Sequence, residues 1–456
     1  MKRREFLCSA VSITLSNPIS ALGKPASGAP YKSITLAAVG DCMITRPFDR
    51  QSPGLQPLLG VLRDADLTFG NFEMTLPDPE MYPASTGVCG DLNNSAEGPM
   101  PEELRWAGFK IMGLPNNHML DYGVDGMFAT ARKIGAAGIA HAGTGRNLAE
   151  ARAPAFYDSP GGRGALIACA SSYRPGSQAA DGNGEIPGRP GLNPLHIDTS
   201  YHVSASQLST LQAIKQQLFP DTRQGPLQAP TGAGVSFLDN QFVAEGQPDV
   251  VTTSDPRDLA GIVASIRRAR RNADLVMVSI HSHEAHGERE IPATFLPEFA
   301  HASIDAGAHA FMGHGPHVLR GIEIYKGKPI FYSLGNFIFE AESMRQVPQG
   351  MYDSCQIAGA DPSDFFDRAM QGFHEEVYWQ SVIAQAEFVD GDLSELRLIP
   401  IDLQRDLPRA ERGMPIRANA QVGGVILDRL ARLSEPFGTK IIREDGIGVI
   451  RPQARS

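Results

Sequence analysis

The sequence predicts an α/β fold, and three features of its 456 residues carry that reading. Short apolar runs rich in β-formers alternate with segments of helical periodicity. Several of those runs end in a polar cluster, where the loops at strand C-termini of an α/β sheet gather their ligands. The apolar fraction, 42%, suits a globular chain and is too high for a disordered one.

Taken in order, the first run is SITLAAVGD (33–41), ending in Gly-Asp. ADLTFGNFE (65–73) repeats the pattern with Gly-Asn-x-Glu, and GFKIMGLPNNHMLDYG (108–123) repeats it again before a helix that reaches about Ala137. IAHAGTG (139–145) and GALIACASSY (164–173) are further strands. A stretch rich in Gly, Pro and Asn, 174–200, reads as a long ordered loop or lid. SASQLSTLQAIKQQL (204–218) is an amphipathic helix. DPRDLAGIVASIRRARRNA (255–273) is another, with Asp255 or Asp258 at its start and basic residues at its end. DLVMVSIHSH (274–283) is a buried-type strand, FLPEFAHASIDAG (295–307) a helix, and HAFMGHGPH (309–317) a strand and its loop. RGIEIY, KGKP and IFYSLG then read as strand, turn and strand. After Glu340 a loop leads to two strands joined by DGD (375–403), a late helix (423–438) and a final hairpin (439–452). No linker separates domains, so 346–456 is expected to complete the domain begun at 33–345.

The N-terminus stands apart. MKRREFL followed by FLCSAVSITL and the small residues of ISALG has the order of an export signal over 1–23, with 24–32 as linker. The R-R-x-F-L order resembles a twin-arginine signal, which places the mature protein in the periplasm or outside the cell. The apolar run is too short for a permanent transmembrane anchor. The formal charge is −10; without the first 23 residues the balance is 38 basic to 50 acidic, a net −12. Such a chain is not built for bulk binding to nucleic acid or to an anionic membrane. Cys42, Cys89, Cys169 and Cys355 are widely spaced, so the fold does not rest on a disulfide framework, although one bridge fits.

The chemistry gathers in the loops after the strands. Asp41, then Asn71 with Glu73, then Asn117 with His118, then His281 with His283, and finally His314 with His317 follow consecutive strands. A divalent cation needs carboxylates, amides and imidazoles converging at one point, and such loops supply that convergence. Seven of the twelve histidines fall between 281 and 317. Of these, His301 and His309 read as structural and His286 as a solvated loop residue.

The order GD-x-M, GN-x-E, NNH-x-x-D-x-G, a strand ending in histidine and then GH-x-PHV before YKGKPIFYSLGNFIF resembles the CapA family of poly-γ-glutamate capsule proteins. GRPGLNPL (188–195) fits as well. That family is a branch of the calcineurin-like metallophosphoesterases, which implies a four-layer αββα sandwich with two face-to-face sheets. The resemblance implies that Asp41, Glu73, Asn117, His281, His314 and His317 hold one or two divalent metal ions (Mn, Fe or Zn). It implies that His118, beside Asp121, donates a proton to a leaving oxygen. Asn71, His283, Glu284, Arg174, Arg189 and Arg320 are expected to contact substrate. Three departures stand out. Met43 replaces the histidine of the D-x-H motif, Glu73 is the one carboxylate available to replace a bridging aspartate, and the G-H-x-H motif is one residue longer here. Two functions therefore remain open: a metal-dependent hydrolase acting on an anionic polymer or a small phosphoester or peptide, and a non-enzymatic capsule-assembly protein that binds polymer or partners through the same cleft.

Overall fold

The computed structural model of the chain describes residues 33–84, 92–219, 234–358 and 361–452. The export signal, the linker and Cys89 lie outside these residues.

Two large sheets organise the chain. The ten-stranded one is centred on β1 (Ser33–Met43), which pairs in parallel with β2 (Leu67–Phe72); β2 pairs with β3 (Ile111–Gly113), and β3 with β4 (Ala140–Ala142). On its other side, residues 33–38 of β1 run antiparallel to Gln380–Val389, whereas residues 41–43 pair in parallel with Asn336–Phe339. Strand β1 thus changes neighbours midway. The change requires Gly40, because a Cβ there would lie 1.9 Å from the Gly335 carbonyl oxygen. The six-stranded sheet runs Ile322–Tyr325, Lys328–Phe331, Ala310–His314, Leu275–His281, Arg163–Ala170, Ala155–Asp158, and its three central strands are mutually parallel.

Side chains of β1 alternate as the two-residue period demands. Leu36 and Ala38 point into a core shared with Phe69, Leu166, Met277 and Met312, which is the space between the sheets. Ala37 and Val39 point the other way, onto α1 (Gln56–Asp64), α2 (Met100–Ala107) and α3 (Gly123–Ala136) through Leu58, Leu62, Leu104 and Met127. The second sheet does the same, burying Ile167, Val276 and Val278 against Ile262, Phe295 and Phe299 of helices Pro256–Arg270 and Phe295–Asp305. Each buried aliphatic side chain contributes about 1.5–3 kcal/mol, so all three cores bind the layers. The architecture is the expected α/β four-layer αββα sandwich. The helix Ala420–Ser434 sits in the core between the sheets, where Ile426, Leu427 and Leu430 meet Leu396 and Leu398.

Two regions differ from the expectation. A small four-stranded sheet of Ile197–Val203, Val235–Phe237, Asn240–Ala244 and Asp249–Ser254 carries the helix Ala205–Leu218, which buries Leu208 alone. Short, half-exposed strands give no alternation to read. The segment after Glu340, expected as loop, forms helices Gln349–Cys355 and Pro362–Ala369, which bury Met351, Tyr352, Phe365 and Phe366. These helices are too brief to show a period. The 174–200 stretch is ordered by backbone pairing of Gln178 with Leu192 and of Ala180 with Arg189. Cys42 and Cys169 are buried free thiols, and Cys355 is disulfide-bonded. Among the described residues no helix is long and apolar enough to cross a membrane.

Candidate metal centre

The parallel strands β1, β2 and β3 of one sheet and Leu275–His281 and Ala310–His314 of the other end at the same edge of the sandwich. Their loops meet there. Three overlapping groups have ligand atoms close enough to share an ion: Asp41 with His281 and His314; Glu73 with His281 and His283; and Asp41 with Glu73 and His317.

Asp41 is the hub. Its Oδ1 accepts a hydrogen bond from Asn71 Nδ2 at 2.8 Å and lies 3.4 Å from His314 Nδ1. Its Oδ2 accepts from the Gly315 N–H at 2.9 Å and lies 3.5 Å from His317 Nδ1. Burial works to raise its pKa, yet His314 and His317 together hold the carboxyl well below the usual carboxylate range. Glu73 is the opposite case. Burial, then the negative charge of Asp41, pushes its carboxyl well above the usual range. Both Glu73 oxygens are buried without a hydrogen bond, and Oε1 lies 3.6 Å from His281 Nε2 and 3.8 Å from His317 Nε2. The Asn117 side-chain oxygen is likewise buried and unpaired. A buried carboxylate costs free energy unless something positive meets it.

The imidazoles face one another in a way that also asks for a cation. His281 Nδ1 is 3.2 Å from His314 Nδ1, and His281 Nε2 is 2.9 Å from His283 Nε2. Burial and the neighbouring imidazoles depress both His281 and His283 well below the ordinary histidine value, so the rings are neutral, the form that ligates metals. Outer partners aim them. Ser279 Oγ is 2.8 Å from His314 Nε2, and Asn336 Oδ1 accepts from His317 Nδ1 at 2.9 Å, which turns His317 Nε2 toward Glu73. The loop holding these rings is tight. His317 has φ +61° and Gly315 φ +110°, and a Cβ on Gly315 would meet the His281 ring at 3.1 Å. This donor set of carboxylate and amide oxygens with imidazoles fits Mn, Fe or Zn.

Beside it stands a hydrogen-bonded histidine–aspartate pair. His118 Nδ1 is 2.8 Å from Asp121 Oδ2, and His118 Nε2 is 3.2 Å from Asn117 Nδ2. Asp121 is wholly buried; burial raises its pKa while His118 and Arg174 oppose the rise. It accepts from the Asn94 N–H at 2.6 Å and lies 3.2 Å from Arg174. A cleft of about 230 Å³ opens over both groups, lined by Asn117, His118, His283 and His317 on the polar side and by Met43, Phe339, Met370 and Phe373 on the apolar side.

The expected substrate contacts divide. His283 lines the cleft. Asn71 does not: it is fully buried and orders Asp41. Glu284 accepts from Ser171 and Ser282 hydroxyls, bracing the loop. Arg174 braces Asp121 and the Leu92 carbonyl. Arg189 is exposed on the 174–200 stretch, bound to the Gln178 carbonyl. Arg320 is fully buried, its guanidinium donating to the carbonyls of Glu284 (2.8 Å) and Arg289 (2.9 Å), so it holds backbone and does not face the cleft. Sequence reading missed Ser279, Asn336, Asn94, Arg289 and the aromatic wall of the cleft. Asn336 lies inside the GNFIF motif; the others carry no signal along the chain. His301, paired with Glu323 and stacked on Tyr325, and buried His309 are structural as expected.

Known proteins share this chain's pattern to different degrees. The family described as "Bacterial capsule synthesis protein PGA_cap" matches residues 35–341. The uncharacterized protein y4sH of Sinorhizobium fredii is 38% identical over 91% of this chain and 93% of its own length. The capsule biosynthesis protein CapA of Bacillus anthracis is 26% identical over 68% of this chain and 60% of its own. Among solved structures, a 5'-nucleotidase precursor from Thermus thermophilus is 10% identical and covers 89% of this chain and 59% of its own, with a TM-score of 0.34, too loose to carry an argument.

Proposed function

The chain belongs to the bacterial capsule synthesis protein family, and from that premise we propose that it acts in poly-glutamate capsule or related envelope-polymer metabolism as an exported, metal-dependent hydrolase. The observation that carries the reading is Glu73, a buried carboxylate with both oxygens unpaired, set among imidazoles and the hydrogen-bonded Asp41. Asp41, Glu73, Asn117, His281, His314 and His317, with His283 at the rim, would hold one or two ions. A bound divalent ion supplies a hydroxide-like water near neutral pH and polarises the oxygen of a scissile group.

The chain's own residues do the rest. Asp121 accepts the Nδ1 proton of His118 and so fixes which nitrogen faces the cleft. Nε2 then carries a proton to the leaving atom of an amide, ester or phosphoester as the bond breaks. Arg174 and the Asn94 N–H oppose the rise that burial imposes on Asp121 and hold it in place. The apolar wall of Phe339, Met370 and Phe373 excludes water from one side of the reacting group. Export is supported by the R-R-x-F-L order and by the disulfide at Cys355, a bond that persists in oxidising compartments.

Met43 favours a second reading. It stands where the resemblance expects an imidazole, so one ion would lack a ligand, and the cleft would bind polymer or an assembly partner without turning it over. Metal content by mass spectrometry on untagged protein, followed by a screen of γ-glutamyl amides and phosphodiesters, separates the two. One or two equivalents with turnover that His118→Ala lowers by about 10²–10⁴-fold, at unchanged metal content, supports the hydrolase. Absence of metal after incubation with Mn, Fe or Zn leaves the binding protein.

A further inference from the structure

Arg289 is neither a candidate ligand nor part of the proton-handling pair, yet it lines the same cleft as His118, His283 and His317. It is exposed, and its guanidinium stands over the Tyr378 ring, 5.4 Å from its centroid. Its acidic neighbour Glu290 is engaged elsewhere, 3.1 Å from Arg432 and 3.9 Å from Arg429. Among the described residues, Arg289 has no ion pair. An arginine stacked on an aromatic ring without a carboxylate keeps its planar fork available.

The backbone beneath it is held from both sides. Residues Ala285–His286 and Glu288–Pro292 form a short hairpin that turns at Gly287, φ +76°. Arg320, wholly buried, donates to the Arg289 carbonyl from one arm of its guanidinium and to the Glu284 carbonyl from another. A buried cation is costly, and this one contacts two carbonyls on either side of the hairpin. It ties the turn that carries Arg289 to the strand end that carries His281 and His283.

We propose that Arg289, positioned by the Arg320 clasp, is the specificity-determining residue of the cleft and takes a substrate carboxylate borne on a short aliphatic stem. The geometry gives both halves. The fork matches a carboxylate in a two-point contact, and Phe339, Phe373 and Met370 across the cleft take the methylenes. In a chain of net charge −10, an arginine at the mouth without an ion pair among the described residues is also the local attraction for an anionic ligand. The inference rests on the cleft being the substrate site proposed above.

The test is calorimetric titration of the full mature chain with a γ-linked glutamate oligomer, the same oligomer with its carboxylates amidated, and inorganic phosphate. The wild type is expected to bind the acidic oligomer and not the amidated one. Arg289→Gln is expected to weaken that binding about 10- to 100-fold, and Arg289→Lys, which keeps charge but loses the fork, to fall between. Equal affinity in Arg289→Gln, no binding by the wild type, or equal binding of the amidated oligomer, overturns the proposal. Metal content is read in the same samples. A chain that holds no metal but loses affinity in Arg289→Gln keeps this inference and sinks the hydrolase reading; a metal-loaded, active chain indifferent to Arg289→Gln does the reverse.

Discussion

The two sheets contribute unlike chemistry to one site. The ten-stranded sheet brings oxygen: Asp41 near the end of β1, Glu73 just past β2, Asn117 after β3. The six-stranded sheet brings nitrogen: His281 ending one strand with His283 just past it, and His314 ending the next with His317 in its loop. Each sheet alone offers one kind of candidate donor. The contrast extends to protonation, since His281 and His283 are depressed toward neutrality by burial while Glu73 is raised by it. The centre is therefore a property of the packed sandwich, and the carboxylate side bears the electrostatic cost whenever no cation is present.

The comparison breaks most sharply on the nitrogen side. His281 belongs to two of the three ligand groups, so His281→Ala is expected to weaken metal binding by more than about 100-fold, beyond what loss of an outer partner costs. Metal content after dialysis checks it; retention at wild-type stoichiometry would remove His281 from the ligand set.

The oxygen side answers in stability. With metal chelated, Glu73 has a folded pKa raised above its unfolded 4.5. The folded chain then holds the proton longer, so stability is complete below pH 4.5 and declines as pH rises above it. Glu73→Gln lacks that decline. The variant should gain on the chelated wild type between pH 5 and pH 8, by about 1 kcal/mol or more, in urea unfolding. Parallel pH curves would show Glu73 to be paired after all.

A control away from both donor sets sharpens the contrast. Buried His309 accepts the Val276 N–H at Nδ1, and burial, with the charge of Lys328, pulls its pKa down from 6.5 to about 3. Its contribution is complete above pH 6.5 and is lost as pH falls toward 3. Stability of the metal-free protein should drop by about 2 kcal/mol between pH 7.5 and 5 on this account, and His309→Asn should flatten that slope. An unchanged slope would assign the acid sensitivity to the histidines of the centre.

Much of this was legible along the chain, and the reasons are specific. SITLAAVGD and DLVMVSIHSH announce buried strands by mostly apolar content and announce candidate ligands by the polar residues at their ends. The residues that aim the ligands were not legible. Ser279 looks like any strand serine, and its bond to His314 exists only because two parallel strands lie in register. Arg320 was expected at the substrate because a guanidinium suits an anionic ligand; here it is enclosed and holds two carbonyls. The wall of Met370 and Phe373 came from a segment whose helices are too short to show a period, and the four-stranded sheet from strands too exposed to alternate.

The bond from the Gly315 N–H to Asp41 joins positions 274 residues apart. At about 5–20 residues per second of synthesis, the first ligand waits on the order of tens of seconds for its partners to leave the ribosome. Until then β1 has neither the imidazoles nor the Asn336–Phe339 strand that completes its far end. Any ion the centre takes would thus be admitted only after the chain is made past His317, and the compartment in which folding finishes would decide which metal is on offer.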